Sequence, residues 1–397
     1  MLPTLVVVDD QPELCDLVLA VAKADGYDAT AAIDPIEWLL RTEAAPDVII
    51  LDLMMPGMDG IEVLRKLAER GQKSRIILSS AHSERVLDSS MRLAKALGLN
   101  IVGRLPKPVK PAQLRDLLRQ QMALARPATT GAPQPTLDEL QEAIRENQFV
   151  IHFQPQVAFS DGHFVGVEAL MRWQHPRHGL LAPGTFVGLA ESSGLALPLT
   201  HCAMERGLPD CGFLHQHGLD GTVSFNLPPA ALNDVRFPEE MTALVERYQT
   251  DGMKILFEIT ETSLASDVTM LLDILTRLRL KGFALSIDDF GTGHSSLSML
   301  HQMPFTELKV DLNFVLVAEA DTTAHVIVEK SVALGRELGL KVVAEGVENQ
   351  LTWNWLKDIG CDVAQGYHIA RPMPAAELPA WWKTWHTRSI AAGFTDR

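Results

Sequence analysis

The chain has 397 residues, which at about 150 residues per domain allows two or three domains with full cores. It is 47% hydrophobic and 21% charged, a composition that excludes global disorder. Its formal charge of −15 argues against DNA or RNA as the main partner, because binding a phosphate backbone needs a basic footprint. A small phosphate ligand drawn in by metal cations is still allowed. Cys15, Cys202, Cys211 and Cys361 form no CxxC pair and suit buried thiols in a reducing compartment. The N-terminal stretch MLPTLVVVDDQPE has no basic flank and meets two aspartates at once, so it reads as a buried strand and not as a signal peptide. No run approaches the ~18 apolar residues of a membrane helix. The expectation is a soluble, cytoplasmic protein with no membrane or DNA partner.

In chain order, apolar runs first alternate with amphipathic stretches. Residues 5–10, 47–52, 75–80 and 100–107 read as strands, with a weaker one near 28–32. Residues 12–25, 35–44, 60–70, 84–97 and 111–124 read as helices. This alternation predicts a doubly wound α/β domain over 1–124, with a parallel sheet covered on both faces. Residues 125–136, ARPATTGAPQPT, hold three prolines and read as a semi-extended linker. Beyond it, strands are expected at 149–157, 164–170, 222–226, 254–259, 283–288, 307–311, 340–345 and 362–365. Helical patterns such as 198–217, 237–249, 267–280, 323–338 and 375–386 separate most of them. Eight strands with intervening helices match the arithmetic of a TIM-type barrel over 137–390.

In the first domain Asp9, Asp10 and Asp52 fall at strand ends and would converge on one edge of a parallel sheet. Clustered carboxylates repel unless a hard cation lies among them, which points to Mg²⁺. Ser80 and Lys107, at the ends of two further strands, supply the hydroxyl and ammonium that a phosphoryl group on Asp52 would need. A strand-end aspartate on its own is more simply a helix cap. The blocks VVDDQ, LDLMMPGMDG, ILSSA and LPKP resemble, in order, the receiver domain of response regulators. The resemblance implies that Asp52 accepts the phosphoryl group, that Asp9 and Asp10 hold Mg²⁺, and that a sensor histidine kinase is the partner. Ser80 would be the switch hydroxyl and Lys107 the phosphoryl contact. Arg104 stands where the family usually has an aromatic switch residue.

In the second domain Glu168, Asn226, Glu258, Asp288, Lys309, Glu345 and Gln365 each lie at or near the end of a different apolar strand, and Gln154 lies on the remaining one. Alternation would aim them inward or upward at the carboxyl-terminal mouth, where barrel active sites sit. Capping of the following helices is the bland alternative for any single residue. Glu168, Glu258, Asp288 and Asp289 with the Asn226 amide are hard oxygen donors, which suit Mg²⁺ or Mn²⁺ better than zinc. Two such ions would support phosphodiester hydrolysis, with Lys309 as the positive charge and Glu345 as a proton acceptor. The loop Asp-Phe-Gly-Thr-Gly at 289–293 could close over substrate.

The blocks FQPQ, EALMRW, FNLP, EITE, DDFGTGHSSL, LKVD, AEGVE and AQGY resemble, in order, the EAL-domain cyclic di-GMP phosphodiesterases. That resemblance implies a modified TIM barrel that opens cyclic di-GMP to linear 5′-pGpG with two Mg²⁺ or Mn²⁺ ions. It makes Glu168, Asn226, Glu258, Asp288 and Asp289 metal ligands. Lys309 and Gln365 would order the catalytic water, and Glu345 would be the general base. Arg172 would contact a substrate phosphate, Gln154 would line the pocket, and Glu261 would anchor the DDFGTG loop. His294 replaces the usual loop tyrosine, Phe153 that of the YQP block, and FNLPP lacks the common Asn-Val-Ser form. Receiver-linked regulators of this kind are expected to form homo-oligomers. A cyclic di-GMP sensor without turnover is the alternative, and a transcription factor fits less well because no helix-turn-helix block follows the receiver. His215 and His217, two apart on a helix, face different ways and read as solvated or packed. Trp381, Trp382 and Trp385 read as packing the final helix on the barrel.

Overall fold

The computed structural model describes residues 2–41, 45–80, 84–125, 135–248, 254–265, 268–292 and 297–391. It divides into two compact units, Met1–Gly131 and Ala132–Arg397. The linker expectation for 125–136 falls largely outside the described residues. His294 of the DDFGTG loop lies outside them as well.

The first unit carries strands β1 (Thr4–Val8), β2 (Asp28–Ala32), β3 (Val48–Asp52), β4 (Arg75–Ser80) and β5 (Asn100–Pro106). They form one sheet of order β2-β1-β3-β4-β5, with every pairing parallel. Strand alternation splits its apolar residues between two cores. Leu5, Val7, Val48 and Ile50 pack against helices Pro12–Ala24 and Pro111–Ala125. Val8, Ile49, Leu51 and Leu78 pack against Gly60–Glu69 and Glu84–Ala96 on the other face. The strand order reverses between β1 and β3, which opens a crevice at their carboxyl ends. β1 stops at Val8, so Asp9 and Asp10 stand just past it, at that crevice.

The second unit begins with helix Leu137–Arg145, opened by a Thr136–Glu139 capping box. Then come β6 (Phe149–Ala158), β7 (Phe164–His175), β8 (Gly179–Leu181), β9 (Thr222–Asn226), β10 (Lys254–Thr260), β11 (Ala284–Phe290), β12 (Glu307–Val310), β13 (Lys341–Ala344) and β14 (Val363–Gln365). The order β6-β14-β13-β12-β11-β10-β9-β7 closes through a β6–β7 pairing into an eight-stranded barrel, with β8 added to β7 as a short hairpin. The eight expected strands are the barrel strands, and the hairpin strand was not anticipated.

One barrel strand is inverted. β6 runs antiparallel to both β7 and β14, while the other barrel pairs are parallel. The linking residues 159–163 are too few for a parallel crossover, which takes a dozen or more. Gln154 therefore does not lie at a carboxyl-terminal strand end. It reaches the mouth because the inverted strand sets it opposite Glu168.

The main core lies outside the barrel wall. Val167, Phe225, Phe257, Leu285, Ile287 and Leu308 join helical side chains there, as do Trp381, Trp382 and Trp385 of helix Leu378–Ala391. The alternate residues face the lumen, and most of those are polar or small: Gln154, Gln156, Gly166, Glu168, Ser224, Ser286 and Lys309. Most barrels instead fill this space with branched apolar side chains.

Gly166 lies where β7 and β9 approach so closely that a Cβ would stand 2.3 Å from the Thr222 carbonyl oxygen. We expect Gly166→Ala to destabilise the barrel by about 1–3 kcal/mol through overpacking. Gly212, in a helix with no atom near its Cβ position, should tolerate alanine or gain up to about 1 kcal/mol. Thermal unfolding of the full chain followed by circular dichroism would compare the two, and equal transitions would show that the β7–β9 approach is not tight.

Candidate functional site

Lys309 organises the barrel site. Its side chain is 0% exposed, and its Nζ lies 2.6 Å from Glu345, 3.0 Å from Glu258, 3.5 Å from Glu168 and 3.6 Å from Asp288. Burial opposes its charge, but Asp288, Glu168, Glu258 and Glu345 together hold the ammonium well above its ordinary pKa.

The carboxylates around it are not equivalent. Burial raises Glu168, yet Lys309, Gln365 and Asn226 outweigh that and leave its pKa below the usual carboxylate value. The Asn226 amide donates to Glu168 Oε1 at 3.0 Å, and the Gln365 amide donates to Oε2 at 2.5 Å. Glu258 has no amide donor among the described residues, and burial with Glu168 nearby pushes it well up against the pull of Lys309 and the Ser224 hydroxyl. Burial raises Asp288, and it lifts Glu345 to about 8 against the pull of Lys309. Burial and the Asp288 charge lift Asp289 to about 7.

Asp289 should face away from Asp288 if the strand were regular. Instead the β11–β12 register shifts between Ile287 and Phe290, and Asp289 has a φ of 56°. The bulge and left-handed turn re-aim its side chain. As a result Asp288, Asp289 and Glu345 bring carboxylate oxygens within 4.8 Å of one another.

The remaining expected residues are placed as follows. Gln154 accepts from the Gln365 amide at 3.2 Å and donates to the Ala370 carbonyl. Arg172 is half-buried on β7 and donates to the Met171 carbonyl. Glu261 Oε2 accepts from the Gly291 amide at 3.1 Å and from the Thr292 hydroxyl at 3.2 Å, which ties down the start of the DDFGTG loop. Two residues escaped the sequence reading. Gln156 donates to Gln365 Oε1 at 2.8 Å and so orients that amide. Asp311 hydrogen-bonds Asp289 while capping helix Leu312–Val317. Each lies two residues from an assigned one, Gln154 and Lys309, and period-two alternation was the available signal. A cavity of about 900 Å³ opens beside Glu168 and Asn226, walled by Met171, Leu199, Phe225 and Pro229.

The donor set fits hard cations. Every candidate ligand is oxygen, Glu258 Oε1 lacks a hydrogen-bond partner, and the Asn226 amide nitrogen is engaged, which leaves its oxygen for an ion.

The first unit holds a second acidic site. Asp9, Asp10 and Asp52 place oxygens within 4.8 Å of one another. Lys107 Nζ lies 2.7 Å from Asp52 Oδ2 and 2.8 Å from Asp9 Oδ2. Burial opposes the Lys107 charge, but Asp52 and Asp9 hold its pKa up. Asp10 Oδ1 and Asp52 Oδ1 are buried without partners, a vacancy in bonding that suits a divalent ion. Ser80 is buried at the end of β4, and its carbonyl accepts from the Lys107 amide at 2.9 Å. Arg104 is exposed on β5.

Residues 137–372 match the family model of the EAL domain, and residues 5–119 match that of the response regulator receiver domain. The chain belongs to the EAL-domain family. It is 34% identical to the cyclic di-GMP phosphodiesterase RocR of Pseudomonas aeruginosa over 354 residues, 88% of each chain. It is 37% identical over 245 residues to the bifunctional diguanylate cyclase/cyclic di-GMP phosphodiesterase MucR of the same organism, covering 62% of this chain and 36% of that protein. A solved structure described as "PaMucR Phosphodiesterase, c-di-GMP complex" superposes with a TM-score of 0.58 at 36% identity, covering 61% of this chain and 98% of that one. An EAL-domain structure from Listeria monocytogenes gives 0.55 at 26% identity, covering 64% and 100%. EAL domains are metal-dependent phosphodiesterases, and this member carries acidic clusters.

Removing the Lys309 ammonium would leave several carboxylates buried without a counter-charge. We expect Lys309→Met to lose about 3–5 kcal/mol in chelator. Excess Mg²⁺ should restore much of that loss, because a cation replaces the missing charge. Thermal unfolding of wild type and variant with EDTA and with Mg²⁺ tests this, and a loss that Mg²⁺ leaves untouched would contradict it.

Proposed function

We propose that this protein is a two-component response regulator whose barrel hydrolyses cyclic di-GMP to linear 5′-pGpG. The reading rests on one observation: a fully buried lysine surrounded by Glu168, Glu258, Asp288 and Glu345 at the mouth of a barrel that carries the EAL sequence blocks. Glu168, Asn226, Glu258, Asp288 and Asp289 would hold two Mg²⁺ or Mn²⁺ ions. Such a pair supplies an activated water and neutralises charge on the transferring phosphoryl group. Water adds to phosphorus and the ribose 3′ oxygen leaves. Glu345 takes the water's proton, with Lys309 against its other side. Gln365, held by Gln154 and Gln156, orients the water from below, and Arg172 meets the non-reacting phosphate.

Asp52 is proposed as the phosphorylation site, with Asp9 and Asp10 holding Mg²⁺, Lys107 pairing with the phosphoryl group and Ser80 following it. A cognate sensor histidine kinase would be the donor. The phosphoryl group shifts the receiver's conformational population, which biases the barrel. The domain limits that go with this reading are 1–124, 125–136 and 137–390. A cytoplasmic homo-oligomer completes it. No helix among the described residues is long and apolar enough to cross a membrane.

Glu168→Gln keeps the shape of the site but removes one ligand charge. Its turnover with Mg²⁺ is expected to fall by about 10²–10³-fold. Equal release of 5′-pGpG by wild type and variant would refute the site. Tight binding without product under Mn²⁺ would show a sensor instead. A second expectation concerns the receiver. Beryllofluoride should change the wild-type rate and leave the Asp52→Asn rate unaltered, and an equal response in both would remove Asp52 from the regulation.

A further inference from the structure

The lumen holds a carboxylate that the proposed chemistry does not use. Glu307 begins β12 on the same face as Lys309, while Leu308 and Val310 point into the outer core. The barrel register places Asn226, Glu258, Ser286, Glu307 and Lys341 in one row across five adjacent strands. That row starts among the mouth residues and ends at the opposite, floor end of the barrel. There Lys341 Nζ lies 3.7 Å from Glu307 Oε2, with side-chain exposures of 42% and 5%. Ser286, itself buried, sits between the two glutamates in that row.

We propose that Glu307 is a positioning residue of the catalytic site: a counter-charge beneath Lys309, partly offset by Lys341, that holds the ammonium down in the lumen and strengthens cation binding at the mouth. The inference rests on the two-metal reading above. Cations bound at the mouth draw on the carboxylates there and repel the Lys309 ammonium. Glu307 lies one strand step deeper, about 7 Å along β12, and so keeps its pull on that ammonium. Burial lifts the Glu307 carboxyl, and Lys341 first, then Lys309, draw it back down, so both cations act on it. An ion pair whose only role was structural would be close to neutral on replacement by an uncharged isostere and would not alter cation binding.

The decisive signature is one of sign. Glu307→Gln removes a negative charge from the lumen, and Lys341→Gln removes the positive charge that offsets it. Both would be made in the full chain carrying Asp9→Asn, so that the acidic pocket of the first unit contributes little to binding. Titration calorimetry with Mn²⁺ alone should show about three- to tenfold weaker binding for Glu307→Gln and about two- to threefold tighter binding for Lys341→Gln. With cyclic di-GMP, Glu307→Gln should lower kcat and leave KM unchanged. Shifts in the same direction, or Mn²⁺ affinities equal to the parent in both variants, would overturn the proposal. If Glu307→Gln fails to fold, tighter Mn²⁺ binding by Lys341→Gln is still required. A parent that binds no Mn²⁺ at the barrel would instead defeat the two-metal reading, and this inference with it.

Discussion

The barrel depends on how one ammonium is balanced against the carboxylates around it. Without Lys309, Glu168, Glu258, Asp288 and Glu345 would face one another in a buried lumen, where like charges drive protonation or unfolding. With it they remain poised, some raised and one lowered, according to the donors each can find. Glu168 has two amides and keeps its charge easily, whereas Glu258 has none and is held well up. The difference comes first from charge, Lys309 lowering Glu168 and Glu168 raising Glu258, and then from the neutral amides of Gln365 and Asn226. Function and stability therefore share the same residues, as is common where a site is built from strained electrostatics.

Much of this was legible in the sequence. Polar residues at the ends of apolar strands marked Glu168, Asn226, Glu258, Asp288, Lys309, Glu345 and Gln365, and the fold brings all seven to one mouth. What periodicity could not show was direction. The inversion of β6 was readable only from the shortness of residues 159–163, and it moves Gln154 to the mouth by pairing instead of by strand polarity. Nor could the sequence show that Asp289 turns back beside Asp288, because that depends on a register shift between two strands. Gln156 and Asp311 act through other side chains, Gln365 and Asp289, so their part in the site shows only once the strands are paired. Helix Leu137–Arg145 follows directly on a proline-rich stretch, and its Thr136–Glu139 capping box is the one local signal of its start.

The two acidic sites solve the same problem with different means. In the receiver one lysine touches two aspartates and leaves Asp10 Oδ1 and Asp52 Oδ1 buried and unpartnered. In the barrel the lysine is deeper, the carboxylates more numerous, and neutral amides complete the set. A single strand-end cluster suffices to accept a phosphoryl group on its own carboxylate. Cleaving a bound diester calls for a wider mouth, a cavity to seat the ligand and several strands' worth of ligands.

The inverted strand also imposes an order of assembly. Gln156 meets Gln365 across 209 positions of sequence, at the seam where the first barrel strand joins the last. Synthesis delivers Glu168 and its hairpin partner early, but the Gln365 amide that meets Glu168 arrives only when almost the whole barrel has left the ribosome. A chain that ends before β14 lacks Gln365 and with it the amide that donates to Glu168. Closure of the ring through β14 and β6 therefore comes last, and only then do Gln156, Gln365 and Glu168 meet.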